Sequence, residues 1–188
     1  PIPSQNIKHG ETFFFISGTY RINNKEEKIL ISLKKGEKKI IKRNNKLYKK
    51  FSDHIGAIPL VIISPDDRNL IVEGSETRRK FIDGIICQTN KEYLNTLIDY
   101  NKTLKQRNAL LKMFYNDSEN IKKTIDIYDN HLSSNAQKIY ERRTEFLSDF
   151  IPIFKERYKQ LSNDKENVEI IHKTDISESQ SLYKLLKN

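Results

Sequence analysis

The hydrophobic pattern changes its period near Gly74, and this change constrains the fold more than any other feature of the sequence. Before Gly74, short apolar runs are separated by turn residues, a pattern typical of β-strands. After Gly74, apolar residues recur every three or four positions, a pattern typical of amphipathic helices. Strands followed by helices, rather than strands alternating with helices, predict an α+β fold in which a small antiparallel sheet precedes a helical lobe.

Runs rich in aromatic and β-branched residues, which favour strands, occur in the first third of the chain. They fill three segments, 13–22, 29–33 and 40–41. The turn residues beside these segments are Asn23-Asn24, Lys35-Gly36-Glu37 and Asn44-Asn45. We therefore expect two short β-hairpins.

A continuous apolar run over residues 58–63 predicts a further short strand, buried on both faces, with Pro59 near its start. The run ends at Ser64, Pro65, Asp66 and Asp67. Acidic residues after a buried strand are typical of metal-binding phosphoryl-transfer sites. The same four residues also favour a local turn that needs no ligand, so both interpretations stay open here.

Two long helices with a coiled-coil-like seam are predicted next, after a shorter helix that runs from an N-cap at Ser75 towards Gln88. The seam of the first long helix comprises Tyr93, Leu97, Tyr100, Leu104, Leu111 and Phe114. The seam of the second runs from Ile121 to Leu161. Since Asn116-Asp117-Ser118 form a turn between them, we expect an antiparallel helical hairpin.

The C-terminal part of the chain carries weaker signals. Pro152 lies within the second long helix and should kink or end it, because proline lacks a backbone donor. Residues 168–171 predict a short strand, and residues 177–186 predict a short amphipathic helix.

Length and composition exclude several classes of protein. A chain of 188 residues suits one domain or two small lobes. The apolar run at residues 57–63 is far shorter than the roughly 20 residues that cross a bilayer, and Cys87 is the sole cysteine. We therefore expect a cytoplasmic protein with no disulfide, no membrane partner and no zinc site built on cysteines.

Familiar catalytic patterns are missing from the sequence. The six glycines do not form a phosphate-binding loop, and the four histidines lack the spacing of metal pairs. No nucleophile elbow is present, and Cys87 fits a buried hydrophobe better than a nucleophile. We assign no catalytic residue and no metal ligand.

Three motifs in order carry a resemblance to a known family. They are Pro65-Asp66 after the apolar run, Arg78-Arg79-Lys80-Phe81-Ile82-Asp83 at the start of a helix, and Gln106-Arg107-Asn108-Ala109-Leu110-Leu111 in the next helix. Residues 126–129, 141–143 and 152–154 add further matches. The chain resembles the RecF family of bacterial DNA replication and repair proteins, most clearly over residues 50–162.

The resemblance implies that the chain is a middle fragment of an ABC-type ATPase head related to SMC proteins. The phosphate-binding loop of the family would precede this chain, and its signature loop and acidic strand would follow. The fragment should then bind no cofactor and hydrolyse no ATP by itself. In the family, the residues corresponding to Ser64, Pro65, Asp66 and Asp67 lie in a nucleotide-sensing Q-loop, although the usual glutamine is absent here.

The resemblance also implies the role of the parent protein. That protein would bind ATP and Mg²⁺, form an ATP-dependent homodimer, and bind DNA at junctions of single and double strands. It would cooperate with recombination mediator proteins in gap repair and in the SOS response. The implied domains are an antiparallel β part (1–63), a Q-loop-like crossing segment with the first helix (64–90), the helical hairpin (91–162), and a return strand with a short helix (163–188).

Basic side chains are the candidate DNA contacts. Residues 1–63 carry 13 basic and 5 acidic groups, and the excess gives the chain a net charge of +9. The candidates are Lys38, Lys39, Lys42 and Arg43 in this part, and Arg78, Arg79 and Lys80 after Gly74. Lysines on hairpins also protect sheet edges, and the second group could instead pair with Glu73, Glu76 and Asp83.

Arg107 and Asn108 interrupt the apolar seam of the first long helix. Because a buried arginine needs a partner, we interpret both as polar packing residues of the lobe, with a functional role as the alternative. The alternative for the whole chain is a non-enzymatic protein-interaction module whose helical hairpin docks a partner helix. DNA binding would weaken as salt rises, whereas docking of apolar helices would not.

Overall fold

The computed structural model describes residues 3–113, 119–176 and 182–187. The chain divides into two compact units, Pro1–Leu60 and Val61–Asn188. The first unit contains an antiparallel sheet and the second contains the α-helices. The predicted α+β class, with a small sheet followed by a helical lobe, is confirmed.

The sheet of the first unit is a meander in which each strand pairs with the next. Its strands are β1 (Phe13–Ile22), β2 (Lys25–Lys34), β3 (Ile40–Arg43) and β4 (Lys46–Leu47). The loops Asn23-Asn24 and Asn44-Asn45 have positive φ at both residues, from 49° to 66°. Asparagine tolerates this conformation, and such two-residue turns match the twist of the strands they join.

The strand register separates the side chains of the sheet into two faces. Leu30 pairs with Ser17 and Lys42, whereas Ile31 pairs with Ile16 and Ile41. Because successive side chains alternate between faces, Ile29, Leu33 and Ile41 share one face, and all three are buried. We call this the packed face and its opposite the outer face.

Residues 58–63 do not form the predicted strand. They have no strand assignment, and Val61 and Ile63 are each 89% exposed. A strand needs a neighbour that accepts and donates backbone hydrogen bonds, and the sheet in the described residues ends at Leu47. The prediction of a buried strand is therefore wrong, because apolar composition favours a strand but the described residues supply no partner strand.

The helices of the second unit follow the predicted periodicity, except that two predicted seam residues, Leu111 and Leu161, are 40% and 84% exposed. They are α1 (Asn69–Val72), α2 (Ser75–Thr89), α3 (Lys91–Met113), α4 (Glu119–Ser162) and α5 (Leu182–Lys187). Gly74, rather than Ser75, is the N-cap of α2. Phe114 and the predicted turn at residues 116–118 lie outside the described residues. No helix in the described ranges is both long and apolar enough to cross a membrane.

Two polar contacts show that α3 and α4 run antiparallel. Arg143 of α4 lies 3.2 Å from the hydroxyl of Tyr93, near the start of α3. Fourteen residues further along α3, Arg107 donates a hydrogen bond to Asp129, which lies 14 residues earlier in α4. Moving 14 residues forward along α3, about 21 Å, therefore corresponds to moving 14 residues backward along α4. The predicted helical hairpin is confirmed.

The core of the second unit lies where α2 packs against this hairpin. Ile86 and Cys87 of α2, Tyr93 and Leu94 of α3, and Ile139 of α4 form one buried cluster. Apolar burial of this kind is the main favourable contribution to folding. The cluster fixes the face that α2 presents to the long helices.

Pro152 does not end α4, which continues to Ser162. Proline removes the hydrogen bond that the carbonyl of Ser148 would otherwise accept. Both residues are exposed, so water can satisfy that carbonyl. This exposure explains why the helix tolerates a residue that was predicted to kink or end it.

The chain returns along α4 after residue 162. The Tyr158 hydroxyl donates to Glu166 at 2.6 Å, and the rings of Tyr140 and His172 stack with centroids 6.1 Å apart. Residues 168–171 are not a strand, contrary to prediction, because they lie beside a helix that offers no backbone ladder. The predicted helix at 177–186 corresponds to α5, and residues 177–181 lie outside the described part.

Replacing Ile86 with alanine should lower the free energy of unfolding by about 2–4 kcal/mol, because its side chain is 1% exposed and leaves a cavity. Ile71→Ala is the matched control, since Ile71 is 83% exposed and its loss should change stability by less than about 0.5 kcal/mol. Urea unfolding of the 188-residue chain measures both. Equal losses in the two variants would contradict the assigned core.

Candidate nucleic-acid interface

Residues Ser64 to Asp67 form a capped turn. Pro65–Arg68 is a short 3₁₀ helix with Ser64 as its N-cap. The Ser64 backbone N–H donates to Asp67 Oδ2 at 2.7 Å, and the Ser64 side chain accepts from the Asp67 N–H. Asp67 is therefore used within the turn, while Asp66 is exposed. The nucleotide-sensing role of these residues stays a prediction.

Arg78 is engaged by the helix that precedes it. Its Nη1 donates to the carbonyl oxygens of Leu70 and Glu73, at 2.9 and 3.0 Å. These carbonyls lie at the end of α1, where a cation is favoured by the helix dipole. Arg78 thus joins α1 to α2. This contact explains why a cation, which the helix dipole disfavours near an N-terminus, lies near the start of α2.

Arg79 and Lys80 are exposed on α2. Lys80 pairs with Glu76 at 2.7 Å, but both side chains are about three-quarters exposed, so the pair contributes little stability. Arg79 donates to the Ser75 hydroxyl at 2.8 Å. Within the described ranges, this hydrogen bond goes to a neutral group, so the charge of Arg79 is available to an anion.

A buried network that the sequence did not reveal joins three helices. Arg143 of α4 donates from Nε and Nη2 to the two carboxylate oxygens of Asp83 on α2, at 2.8 and 2.7 Å. The Tyr93 hydroxyl of α3 donates to Asp83 Oδ1 at 2.5 Å. A bidentate pair of this kind fixes both distance and orientation.

The network also changes the acidity of its neighbours. Burial lowers the pKa of Arg143, but the hydrogen bonds and the charge of Asp83 outweigh it, and the pKa is raised. Burial and the bond to Asp83 raise the pKa of Tyr93. Burial and the charge of Asp83 also raise the pKa of Cys87 to about 11, so the thiol stays protonated at neutral pH and is a poor nucleophile.

Arg107 has its partner on the facing helix. It donates from Nε to Asp129, whose side chain is 1% exposed. Asn108, which was predicted to pack beside Arg107, is exposed. The sequence indicated that Arg107 needs an acidic partner, but Asp129 becomes its neighbour through the register of the hairpin.

The candidate cations of the sheet do not form one surface. Arg43 makes a bidentate pair with Glu27 at 2.9 and 3.0 Å on the packed face, and these hydrogen bonds lower the pKa of Glu27. Lys39 lies over the Phe51 ring, 5.4 Å from its centroid. Lys38 and Lys42 are exposed. Lys42 and Arg43 lie on opposite faces of the sheet, because consecutive strand residues point to opposite faces.

The outer face nevertheless collects other basic side chains. The alternation of strand residues places Arg21, Lys28 and Lys34 on the same face as Lys42, and all four are exposed. Phe13 and Phe15 lie on this face too, 54% and 64% exposed. Cations beside exposed aromatic rings can contact both the phosphates and the bases of nucleic acids. Counting every second residue of β1 and β2 could have identified Arg21 and Lys28.

A cleft lies on the second unit, with a volume of about 260 Å³ and a lining of both apolar and charged side chains. Arg79, Lys80, Asp83 and Arg143 line it together with the stacked rings of Tyr140 and His172. Burial, followed by the charges of Arg143 and Arg79, lowers the pKa of His172. The cleft thus brings Arg79 and Lys80 together with residues from the return segment that the sequence did not associate with them.

The described residues contain no cluster of three or more His, Cys, Asp or Glu side chains that could hold a metal ion. In the first unit, His54 Nδ1 and the Tyr48 hydroxyl are buried and have no hydrogen-bond partner among the described residues. Burial lowers the pKa of His54, and the charges of Arg43 and Lys39 lower it further.

Comparison with known proteins identifies relatives over the whole chain. The chain is 50% identical over 188 residues to the DNA replication and repair protein RecF of Flavobacterium johnsoniae and covers 52% of that protein. It is 44% identical over 175 residues to RecF of Phocaeicola vulgatus, with 93% of this chain and 46% of the relative covered. The chain thus spans about half the length of the curated relatives it matches. No protein-family model matches the chain.

Two solved structures have the same fold over the chain. One is described as the recombination mediator protein RecF with ATP in the RecFOR pathway, with a TM-score of 0.86 and 30% identity over all of this chain and 51% of that one. The other is RecF with ATPγS, with a TM-score of 0.82, 29% identity, and 98% and 50% coverage. The resemblance to RecF predicted from the sequence is confirmed.

Replacing Asp83 with asparagine should destabilise the second unit by about 3–5 kcal/mol, because the buried guanidinium of Arg143 loses its counter-charge. Glu145→Gln is the control, since the Glu145–Arg142 pair is exposed and should contribute less than about 1 kcal/mol. Urea unfolding followed by helical circular dichroism measures both. A loss no larger for Asp83→Asn than for Glu145→Gln would refute a structural role for the network.

His54 should make the sheet less stable in acid. Its folded pKa lies below the unfolded value of about 6.5, so the folded state binds fewer protons, and the stability present above that pH is lost as pH falls. His54→Phe should therefore lose less protection than the wild type between about pH 7 and about pH 5. Hydrogen exchange of β2 and β3 amides measures this loss.

His9→Phe is the control for the His54 experiment, because His9 is exposed. It should retain the acid sensitivity of the wild type. If His54→Phe and the wild type lost protection in parallel, His54 would not be the group responsible.

Proposed function

We propose that this chain, which is similar to RecF proteins over its entire length, is part of a RecF-type DNA replication and repair protein and supplies surfaces that contact DNA. The observation that carries the proposal is the 50% identity over all 188 residues. The shared fold of the ATP-associated RecF structure supports it further. Cytoplasmic location and participation in the SOS response remain predictions for the parent protein.

ATP and Mg²⁺ belong, in this proposal, to the parent protein. The chain has no glycine-rich phosphate loop, Asp67 caps its own turn, and the described residues offer no cluster of metal ligands. These residues do not fit an ATP–Mg²⁺ site by themselves. We therefore assign no hydrolytic step to them, and the turn at Ser64–Asp67 would respond to nucleotide only through contacts with other parts of the parent protein.

The proposed partners follow from the same relationship. Recombination mediator proteins are inferred from the description of a similar structure as part of the RecFOR pathway. An ATP-dependent homodimer and a preference for junctions of single- and double-stranded DNA are further proposals for the parent. The basic character of this chain, with a net charge of +9, is consistent with a polyanionic partner.

The outer face of the sheet is the first proposed DNA contact. Arg21, Lys28, Lys34 and Lys42 are exposed there. Lys34 pairs with Glu37 at 2.7 Å in an exposed contact that a phosphate can replace. Each cation that neutralises a phosphate releases condensed counterions, and this release drives binding at low salt. Lys38, which is exposed in the turn after β2, would extend the surface.

Arg79 and Lys80 are the second proposed contact. Their charges lie on the exposed side of α2. Arg78 is a weaker candidate, because its guanidinium already donates to two carbonyls. Arg43 is weaker for the same reason, since Glu27 binds two of its donors.

A protein-interaction role for the helical hairpin is the second candidate function. It is favoured by apolar side chains exposed near the end of the hairpin. Met113 and Ile127 are 75% and 62% exposed, and Leu111 is 40% exposed. Binding through these residues would be insensitive to salt.

Reversing the charges of Lys28 and Lys42 together, as Lys28→Glu/Lys42→Glu, should weaken duplex DNA binding at least tenfold at about 50 mM salt. It should also reduce the slope of log affinity against log salt by about 2, because two phosphate contacts are lost. Fluorescence anisotropy with labelled duplex DNA, from about 50 to 200 mM salt, measures both quantities.

Lys102→Glu/Lys105→Glu is the matched control. Both lysines are exposed on α3, and the change in net charge is identical. The control should lose much less affinity than the outer-face variant. Equal losses would mean that net charge alone, and not the outer face, determines binding. If the wild type failed to bind DNA at low salt, the proposed DNA contacts would be refuted for this chain.

A further inference from the structure

The cleft on the second unit is lined by α2, α3, α4 and the return segment after α4. Its titratable side chains are Glu76, Arg79, Lys80, Asp83, Tyr100, Tyr140, Arg143 and His172. Asn101 and Thr174 add neutral hydrogen-bonding groups. Residues from four separate parts of the second unit therefore converge on a space of about 260 Å³.

The carboxylates of the cleft are already paired. Asp83 is bound on both oxygens by Arg143 and on one of them by the Tyr93 hydroxyl. Glu76 pairs with Lys80 at 2.7 Å. Since a paired carboxylate repels an incoming anion only weakly, these groups do not close the cleft to negative ligands.

Arg79 is less strongly compensated, because its charge acts on the nearby carboxylate of Glu76 but Glu76 forms its ion pair with Lys80. The hydrogen bond of Arg79 within the described residues goes to the hydroxyl of Ser75 at 2.8 Å. A guanidinium has five donors, and one of them is used here. The remaining donors are available to a planar or tetrahedral oxyanion, which arginine binds with good geometry.

Two positive charges act on His172, although burial is the main reason that its pKa is lowered. Its ring is half-buried and stacks on Tyr140, with an interplanar angle of 25°. Arg143 and Arg79 both act on it as repelling positive charges. The same field that disfavours a proton on the imidazole favours an anion in the cleft, and an anion would in turn make protonation of His172 easier.

The size of the cleft suits one small group. A water molecule occupies about 30 Å³ of liquid, so the cleft has room for a phosphate group and a few waters. The volume admits a phosphate group, whether free or part of a longer ligand.

We propose that this cleft binds a phosphate group, with Arg79 as the principal cation, Lys80 as a second cation and His172 as an additional donor. The phosphate could be one diester of a nucleic acid strand or a free phosphate ion. The identification with nucleic acid rests on the proposed function, whereas the affinity for phosphate does not. The residues that line the cleft all belong to the second unit, so none of them is a residue of the sheet.

The test is an NMR titration of the His172 ring in the 188-residue chain. Two probes are compared, inorganic phosphate and a single-stranded oligothymidine of about eight nucleotides without a terminal phosphate. Binding should raise the pKa of His172 by about 0.5 to 1, because an anion comes close to the imidazole. A shift with the oligonucleotide identifies a diester ligand, and a shift with inorganic phosphate alone identifies a free ion; both support the site.

Two variants test the role of Arg79. Arg79→Gln should abolish the ligand-induced shift of His172, and Arg79→Lys should retain part of it, since charge is kept but the planar donors are lost. If Arg79→Gln failed to fold, the His172 shift in the wild type and its partial retention in Arg79→Lys would still test the proposal. The absence of any His172 shift with both probes would overturn the proposal, as would an equal shift in folded Arg79→Gln.

The outer-face variant Lys28→Glu/Lys42→Glu separates this site from the proposed function. It should leave the His172 response to inorganic phosphate unchanged, because the sheet cations do not line the cleft. Loss of duplex binding with an intact His172 response would refute neither proposal. In the wild type, duplex binding without any His172 response to either probe would refute the phosphate site alone.

Discussion

The helical unit depends on the pairing of Asp83 with Arg143, because this contact joins α2 to α4 and recruits Tyr93 from α3. A bidentate ion pair allows only one alignment of the helices that it joins. The Arg107–Asp129 contact repeats the constraint further along the hairpin. Together the two contacts determine which residues of α3 lie opposite which residues of α4, and hence which side chains converge on the cleft.

Local signals predicted the parts of the fold that need only local information. The two Asn-Asn turns and the seams of α3 and α4 belong to this group, because φ preference and helical period act over a few residues. The segments at 58–63 and 168–171 were predicted wrongly as strands, because a strand exists only beside a second strand. The expectation that Pro152 ends α4 is wrong for a related reason, since the cost of a proline depends on whether the freed carbonyl reaches water; a kink at this residue stays a prediction.

The candidate site also combines features that the local sequence predicts with features that depend on distant parts of the chain. A list of basic residues was available from the sequence, but their use depends on neighbours that are distant in the chain. Arg78 is engaged by carbonyls of α1, Arg43 by Glu27, and Arg79 by a single hydroxyl. Of these three arginines, only Arg79 keeps most of its hydrogen-bond donors available. Arg143 and His172 were missed as members of the site because they lie 60 or more residues from the α2 residues that they approach.

The length of α4 has a mechanical consequence. Forty-four helical residues span about 66 Å, and the contacts with α3, with the return segment and with α5 lie at different points along that rod. A tilt of about 5° applied at one end would displace the other by about 6 Å. The missing hydrogen bond at Pro152 makes the final turns the most compliant part of the rod. Forces applied beyond that residue would therefore be absorbed by bending before they reach the Asp83–Arg143 pair.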